Sequence, residues 1–165
     1  MGLHELELER DINPVDLVEQ VASVNDWQFE RTNDEISMTV GGVWSDYDVS
    51  LSWMEDFEAL HLACAFDLKI TENRMLEAIQ LIGRINEQLL IGHFDLWLDD
   101  GSVLFRHSLL LNGGAEPTGE QLECLMTSAL EACERYYQAF QFVVWAGKSS
   151  KEALEAVLFE THGNA

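Results

Sequence analysis

Residues 89–111 read LLIGHFDLWLDDGSVLFRHSLLL, and this stretch decides the fold class. A helix end, a stop at Gly92, an alternating strand, a tight turn and a returning strand follow one another. Asp100-Gly101 suits a two-residue type I′ turn, whose central residues must both accept φ > 0. A turn there sets Trp97 opposite Leu104, Leu96 opposite Phe105 and Asp95 opposite Arg106, each pair chemically matched. Because side chains alternate, Leu96, Phe105 and His107 then face a core, with His107 opposite Phe94. Trp97, Leu104, Leu110, Asp95 and Arg106 face away from it. The stretch therefore predicts a half-buried antiparallel sheet.

Four more strands precede it. Trp27, Phe29, Ile36, Met38 and Val40 share one face if Asn33-Asp34 turns the chain, and Gly41-Gly42 breaks the run. Tyr47, Val49, Leu51 and Trp53 alternate with Asp48, Ser50 and Ser52, and Leu60, Leu62, Cys64 and Phe66 answer them. A turn at Glu55-Asp56 sets Leu51 against Leu60 and Val49 against Leu62, although neither turn residue eases φ > 0.

Helices flank these strands. Asn13-Pro14 reads as an N-cap and first-turn proline, with Asp16 near the dipole's positive end and Leu17, Val18, Val21 and Val24 as the apolar stripe. Thr71 starts a helix over about 72–91, with Met75, Ile79, Ile82, Ile85 and Leu89 inward and Gly92 as its stop. Thr118 and Gln121 have capping-box spacing. The long helix after them buries Leu122, Leu125, Met126, Ala129, Cys133, Tyr136, Tyr137 and Phe140. Ser149 and Glu152 repeat the spacing before a terminal helix bearing Leu154, Val157 and Leu158.

The order α-ββββ-α-ββ-α-α predicts an α+β protein. Its antiparallel sheet has about six strands, with helices packed mainly on one face. Residues 1–12 read as an acidic, frayed tail, 13–147 as the domain, and 148–165 as a C-terminal helix and tail.

Composition narrows the function classes. Thirty acidic against nine basic residues give a net charge of −21. Phosphate contacts need clustered Lys and Arg, so nucleic acid is not an expected partner, and the same repulsion disfavours anionic membranes. No apolar run has the length of a membrane span, and the acidic start MGLHELELERD lacks a signal-peptide pattern. Cys64, Cys124 and Cys133 are odd in number and lack CxxC spacing, so they read as free thiols of a reducing compartment. The expectation is a soluble, cytoplasmic protein.

No pattern of catalysis appears. His61, His93 and His107 have neither i, i+4 nor HxH spacing, so they make no metal site. Asp46 and Asp48 open a strand, and Asp99-Asp100 needs no role beyond a turn. There is no GxSxG, P-loop or GxGxxG. The reading is non-enzymatic, with no cofactor and no metal.

Surface features remain. Ala63, Ala65, Trp97, Leu104 and Leu110 share a sheet face with Asp95, Arg106, Ser50 and Ser52, an apolar centre inside a polar rim. The sequence leaves open whether a helix of the same chain covers that face. The segment Phe140–Trp145, FQFVVW, is apolar all round, which implies burial by the terminal helix or by a second subunit. The candidate protein-binding residues are Trp97, Leu104, Leu110, Asp95, Arg106 and Trp145.

Ile85-Asn86 through Gly92-His93-Phe94, Leu98-Asp99-Asp100-Gly101, Val103 to Arg106, and Leu109 to Leu111 form one recognisable series. With the helix start Thr118-Gly119-Glu120-Gln121-Leu122, it resembles the YbjN family, described as bacterial sensory transduction regulators. The resemblance covers about 25–145. It implies a fold similar to type III secretion chaperones, frequent homodimers and no catalytic signature. The acidic N-terminal extension and the added C-terminal helix depart from the pattern. The combined reading is a regulator or chaperone-like adaptor, a homodimer with an unknown protein client. The alternative is a small-molecule-sensing domain with a pocket between sheet and helices, lined by Trp27, Tyr47 and Trp53.

The charge excess generates a test. Solubility should fall near the isoelectric point of about 4.2, where repulsion between molecules vanishes. Moderate sodium chloride at neutral pH should raise the melting temperature by screening self-repulsion. A melting temperature unchanged or lowered by salt would contradict this.

Overall fold

The computed structural model describes residues 10–163, and expectations for residues 1–9 lie outside the described residues. Helix α1 (Pro14–Val24) precedes strands β1 (Glu30–Arg31), β2 (Glu35–Gly41), β3 (Asp46–Met54) and β4 (Ala59–Lys69). Helix α2 (Met75–Asn86), strands β5 (His93–Trp97) and β6 (Ser102–Leu110), and helices α3 (Gly119–Val144) and α4 (Ser150–Gly163) follow. The six strands form one antiparallel sheet in the order β1-β2-β3-β4-β6-β5. Element order and fold class are those read from the sequence.

Two hairpin registers differ from expectation by two residues, for one reason. Trp97 pairs with Ser102, Asp95 with Leu104, and Phe94 with Phe105, so the β5–β6 loop is Leu98–Gly101 and not Asp100-Gly101 alone. A type I′ turn needs two residues at positive φ, and only Gly101 has it, at 76°. Its amide donates to the Trp97 carbonyl at 2.8 Å, and the Ser102 amide donates to Asp100 Oδ1 at 2.9 Å. Between β3 and β4, Leu51 faces Leu62, Val49 faces Cys64 and Met54 faces Ala59. There the loop is Glu55–Glu58, closed by Glu58 at φ 47°. A left-handed residue at the fourth loop position thus closes both hairpins. A shift of two leaves every side chain on its assigned face, since the pleat repeats every two residues.

The core lies on one face of the sheet. Tyr47, Val49, Leu51, Leu62, Cys64, Phe66, Phe94 and Phe105 point into it, and α3 covers them with the stripe read from the sequence, Leu122 to Phe140. The α3 capping box is complete: the Gln121 amide donates to Thr118 Oγ1 at 3.0 Å, and the Thr118 amide donates to Gln121 Oε1 at 2.9 Å. Asn13 caps α1 by accepting from the Val15 amide at 3.0 Å. The α1 stripe is Val15, Val18 and Ala22, while Val24, expected inward, is exposed. Arg10, placed in the frayed tail by the sequence, is anchored. It donates to the Leu111 carbonyl at 2.7 Å and stacks over Trp53 with its guanidinium 4.7 Å from the ring centre.

Helix α2 departs most. A 3-10 turn, Glu72–Arg74, replaces its first turn, and the helix ends at Asn86. The Asn86 side chain pairs with both backbone groups of Phe94, at 2.8 and 3.1 Å, which fastens the helix end to β5. Ala78, Leu81 and Ile85 are fully buried, and Ile79, expected inward, is exposed. Polar anchors set this rotation. Arg74 donates to the carbonyls of Val143 and Lys148, and Glu77 accepts from the Ser150 amide at 2.8 Å. Those bonds turn the polar flank of α2 toward the α3–α4 junction. Helix α4 packs on α2 and α3 through Ala153, Leu154 and Val157. Phe140 and Val143 are fully buried, whereas Trp145 is exposed.

Gly101 carries a testable constraint. A Cβ there would lie 2.3 Å from the Ile70 carbonyl oxygen, whereas one at Gly113, at the same φ of +76°, meets nothing within 4 Å. Gly113→Ala should cost about 1–2 kcal/mol, the left-handed penalty alone. Gly101→Ala should cost clearly more, because the β4 end must also move. Equal shifts of the two urea midpoints would contradict this.

Candidate functional site

The helices pack on the sheet's core face, and no described element covers the other. That face presents, row by row, Glu30, Ser37, Ser50, Ala63, Arg106 and His93, then Thr39, Asp48, Ala65, Leu104 and Asp95. Short Ser, Ala and Thr side chains make it concave, and a groove of about 650 Å³ runs over Ser37, Ser50, Ala63, Ala65 and Leu104, walled by Glu30 and Asp48. Leu104 is only 7% exposed, yet stands outside the main core cluster. It is the apolar floor of this face.

The six candidate residues do not form one patch. Asp95, Leu104 and Arg106 come together part-way along β5 and β6, at the β5 edge of the sheet. Trp97, 53% exposed, stands at the hairpin tip, and Leu110, 70% exposed, at the far end of β6. Leu110 is eight residues from Ser102, the partner of Trp97, or roughly 27 Å at about 3.4 Å per residue. Leu110 belongs instead with Met54, in the same cross-strand row through Ala59, near the exposed Phe57 of the adjoining loop. Trp145, 66% exposed, is the C-cap of α3 and lies off the sheet. Sequence reading missed Met54 and Phe57. Their signal was the weak turn, where apolar residues flank Glu55-Asp56. It also missed Leu76, exposed on α2, which falls off the helix's inward stripe.

Asp95 and Arg106 were expected directly opposite one another. They are diagonal neighbours, because Arg106 pairs with His93, and the ion pair forms all the same at 3.0 Å. Its partial exposure limits it to about 0.2–1 kcal/mol. Arg106 extends the chain by donating from Nε to His61 Nε2 at 3.3 Å, while His61 Nδ1 lies 2.8 Å from Ser108 Oγ. A serine beside a histidine invites comparison with a nucleophile and its base. The hydrogen bonding argues against it. Arg106 is only a donor, so neutral His61 accepts at Nε2 and carries its proton on Nδ1, facing Ser108. In that tautomer it cannot take the serine proton.

Two titratable groups of the core, Tyr47 and Cys133, are held neutral by burial. Burial, then the nearby Glu134 carboxylate, pushes Tyr47 ionisation far up. Cys133 and Cys64 are buried with sulfurs 3.5 Å apart, and burial first holds Cys133 as a neutral thiol. His107 shares the core face but is only half-buried, beyond the end of β5. Among the described residues no three His, Cys, Asp or Glu side chains come together to hold a metal ion. Tyr47, assigned to a sensing pocket, is packed against Phe66 and Tyr137 with ring centres 6.0 and 6.2 Å away.

This geometry defines a class: an α+β protein with helices on one side of its sheet and a concave face that no described element covers. The family model of YbjN, described as "Putative bacterial sensory transduction regulator", matches residues 14–142, and the chain belongs to that family. The crystal structure of YbjN from E. coli is similar at 13% identity and a TM-score of 0.56, over 88% of this chain and 93% of that one. The HopA1-SchA chaperone-effector complex contains a chain with a TM-score of 0.52 at 13% identity, over 71% of this chain and 87% of that one. These likenesses are of fold. No curated protein matches the sequence. No helix among the described residues is long and apolar enough to cross a membrane.

The histidines give a pH test. Both His61 and His107 ionise below the ordinary value of 6.5, chiefly through burial, and for His61 next through Arg106. The unfolded chain therefore binds protons first, so their contribution is complete above about pH 6.5 and is lost as pH falls toward the lower folded values. Replacing both by Gln should flatten the fall in stability between about pH 7 and 5. An identical slope in parent and variant, measured by urea denaturation, would contradict this.

Proposed function

We propose that this protein is a cytoplasmic, non-enzymatic regulator or chaperone-like adaptor that binds another polypeptide on its open sheet face. The observation that carries the reading is the one-sided sheet. Four helices and the core occupy one face, and the other keeps a groove floored by Leu104 that no described element covers, with Trp97 and Leu110 exposed beyond it at opposite ends of the β6 hairpin. Asp95 and Arg106, already paired, supply the polar rim. Membership of a regulator family and a fold shared with a chain of a chaperone-effector complex support it.

The second apolar surface lies elsewhere. Arg74 ties the start of α2 to the end of α3, which gathers exposed Leu76 and Trp145 at one end of the molecule. Fully burying each such side chain stabilises by roughly 1.5–3 kcal/mol. A second copy of the chain is the proposed occupant, in an isologous homodimer.

Trp97→Glu and Leu110→Glu should each reduce recovery of partners captured from bacterial lysate, with circular dichroism unchanged. Trp145→Glu should shift light scattering from dimer to monomer without losing them. Full recovery with both sheet-face variants would overturn the client surface, and a monomeric parent at high concentration would remove the dimer.

A further inference from the structure

We infer that the groove between the β1 edge and β6 receives an amphipathic helix of the partner that carries lysine or arginine on its flanks; this rests on the open-face reading above and specifies its chemistry. The floor argues for a helix. Ala63 and Ala65 are short, and Leu104 stands beside them on β6 with Phe29 at the opposite edge, so a helix can approach the middle of the sheet closely, as helices do on covered sheets. The groove is open along its length, and Phe29 at its β1 edge is the one aromatic residue of its lining, whereas small-molecule pockets are enclosed and mostly apolar.

Charge selects the partner. Glu30 and Asp48 wall the groove, and no cation pairs with either among the described residues. Asp48 accepts only from Thr39 Oγ1, at 3.0 Å. The basic side chains of this face are already engaged, Arg106 with Asp95 and Lys69 with Asp100. An isologous second copy docked in this groove would bring its own Glu30 and Asp48 against these, and like charges facing across an interface oppose association. Cationic flanks on a helical segment complement the walls while its small apolar residues meet Ala63, Ala65 and Leu104.

The test uses a fluorescein-labelled synthetic peptide of about 18 residues, long enough to be helical in water. It has Leu and Ala on one face and Lys on both flanks, and a control carries Glu for Lys. Fluorescence anisotropy with the full-length protein should show binding of the lysine peptide only. Glu30→Gln with Asp48→Asn should weaken it about three- to tenfold, the worth of two exposed ion pairs. Ala63→Trp, which fills the groove, should abolish it. Because so acidic a protein attracts any cation, Glu120→Gln with Glu123→Gln on exposed turns of α3 is the matched control and should leave binding unchanged. Equal weakening by the two double variants would overturn the site. So would undiminished binding to a folded Ala63→Trp protein, or conversion of a dimer to a monomer by that substitution. Should Ala63→Trp fail to fold, the double variants decide alone. If captured partners are lost with Trp97→Glu while the peptide fails here, the open-face reading stands and only the basic-helix assignment falls.

Discussion

Phe66 is the joint on which the molecule depends. From β4 its ring meets Tyr47 of β3, Phe94 of β5, and Tyr137 and Phe140 of α3, at centroid distances between 5.3 and 6.0 Å. Each such aromatic pair adds about 0.5–1.5 kcal/mol beyond the area it buries. One side chain thus links three strands to the long helix. Phe94, held in turn by the Asn86 carboxamide, brings in α2. All this packing lies on one side of the sheet. With the pleat fixed by that cluster, Ala63, Ala65 and Leu104 have nowhere to point but outward.

The one-sidedness connects sequence to function. A sheet normally buries an apolar face against another layer and solvates the opposite face with polar residues. Here the opposite face is neither fully polar nor fully apolar. Its centre is short and partly apolar, its walls are acidic, and its only arginine is spent on Asp95 and His61. The bond from Arg106 sets the tautomer of His61, and burial keeps the Tyr47 phenol and the Cys133 thiol neutral.

Much of this was legible in the residues, and the losses are instructive. The alternation of Tyr47, Val49, Leu51 and Trp53 and the period of Leu122 to Phe140 survive because burial enforces them over many positions. Asn13 and Thr118 were legible because capping is a local hydrogen bond between near neighbours. Hairpin register was not, because Asp100-Gly101 fits a two-residue turn as well as the end of a four-residue loop. The contact of Gly101 with Ile70, thirty-one positions away along the chain, goes with the longer loop. The rotation of α2 depends on Arg74 and Glu77 meeting the α3–α4 junction, which no local pattern reports. For the candidate residues, alternation says which way Leu110 points but not how far it lies from Trp97.

Whether the outward face is free, and is then occupied, can be measured at two adjacent residues of β4. In a protein with Cys124 replaced by Ser, Ala63→Cys places a thiol on the open face beside native Cys64 on the core face. The account predicts rapid maleimide labelling at position 63, none at Cys64 in the native state, and protection of position 63 when a captured partner is bound. Slow labelling at 63 in the isolated protein, or labelling undiminished by the partner, would contradict it.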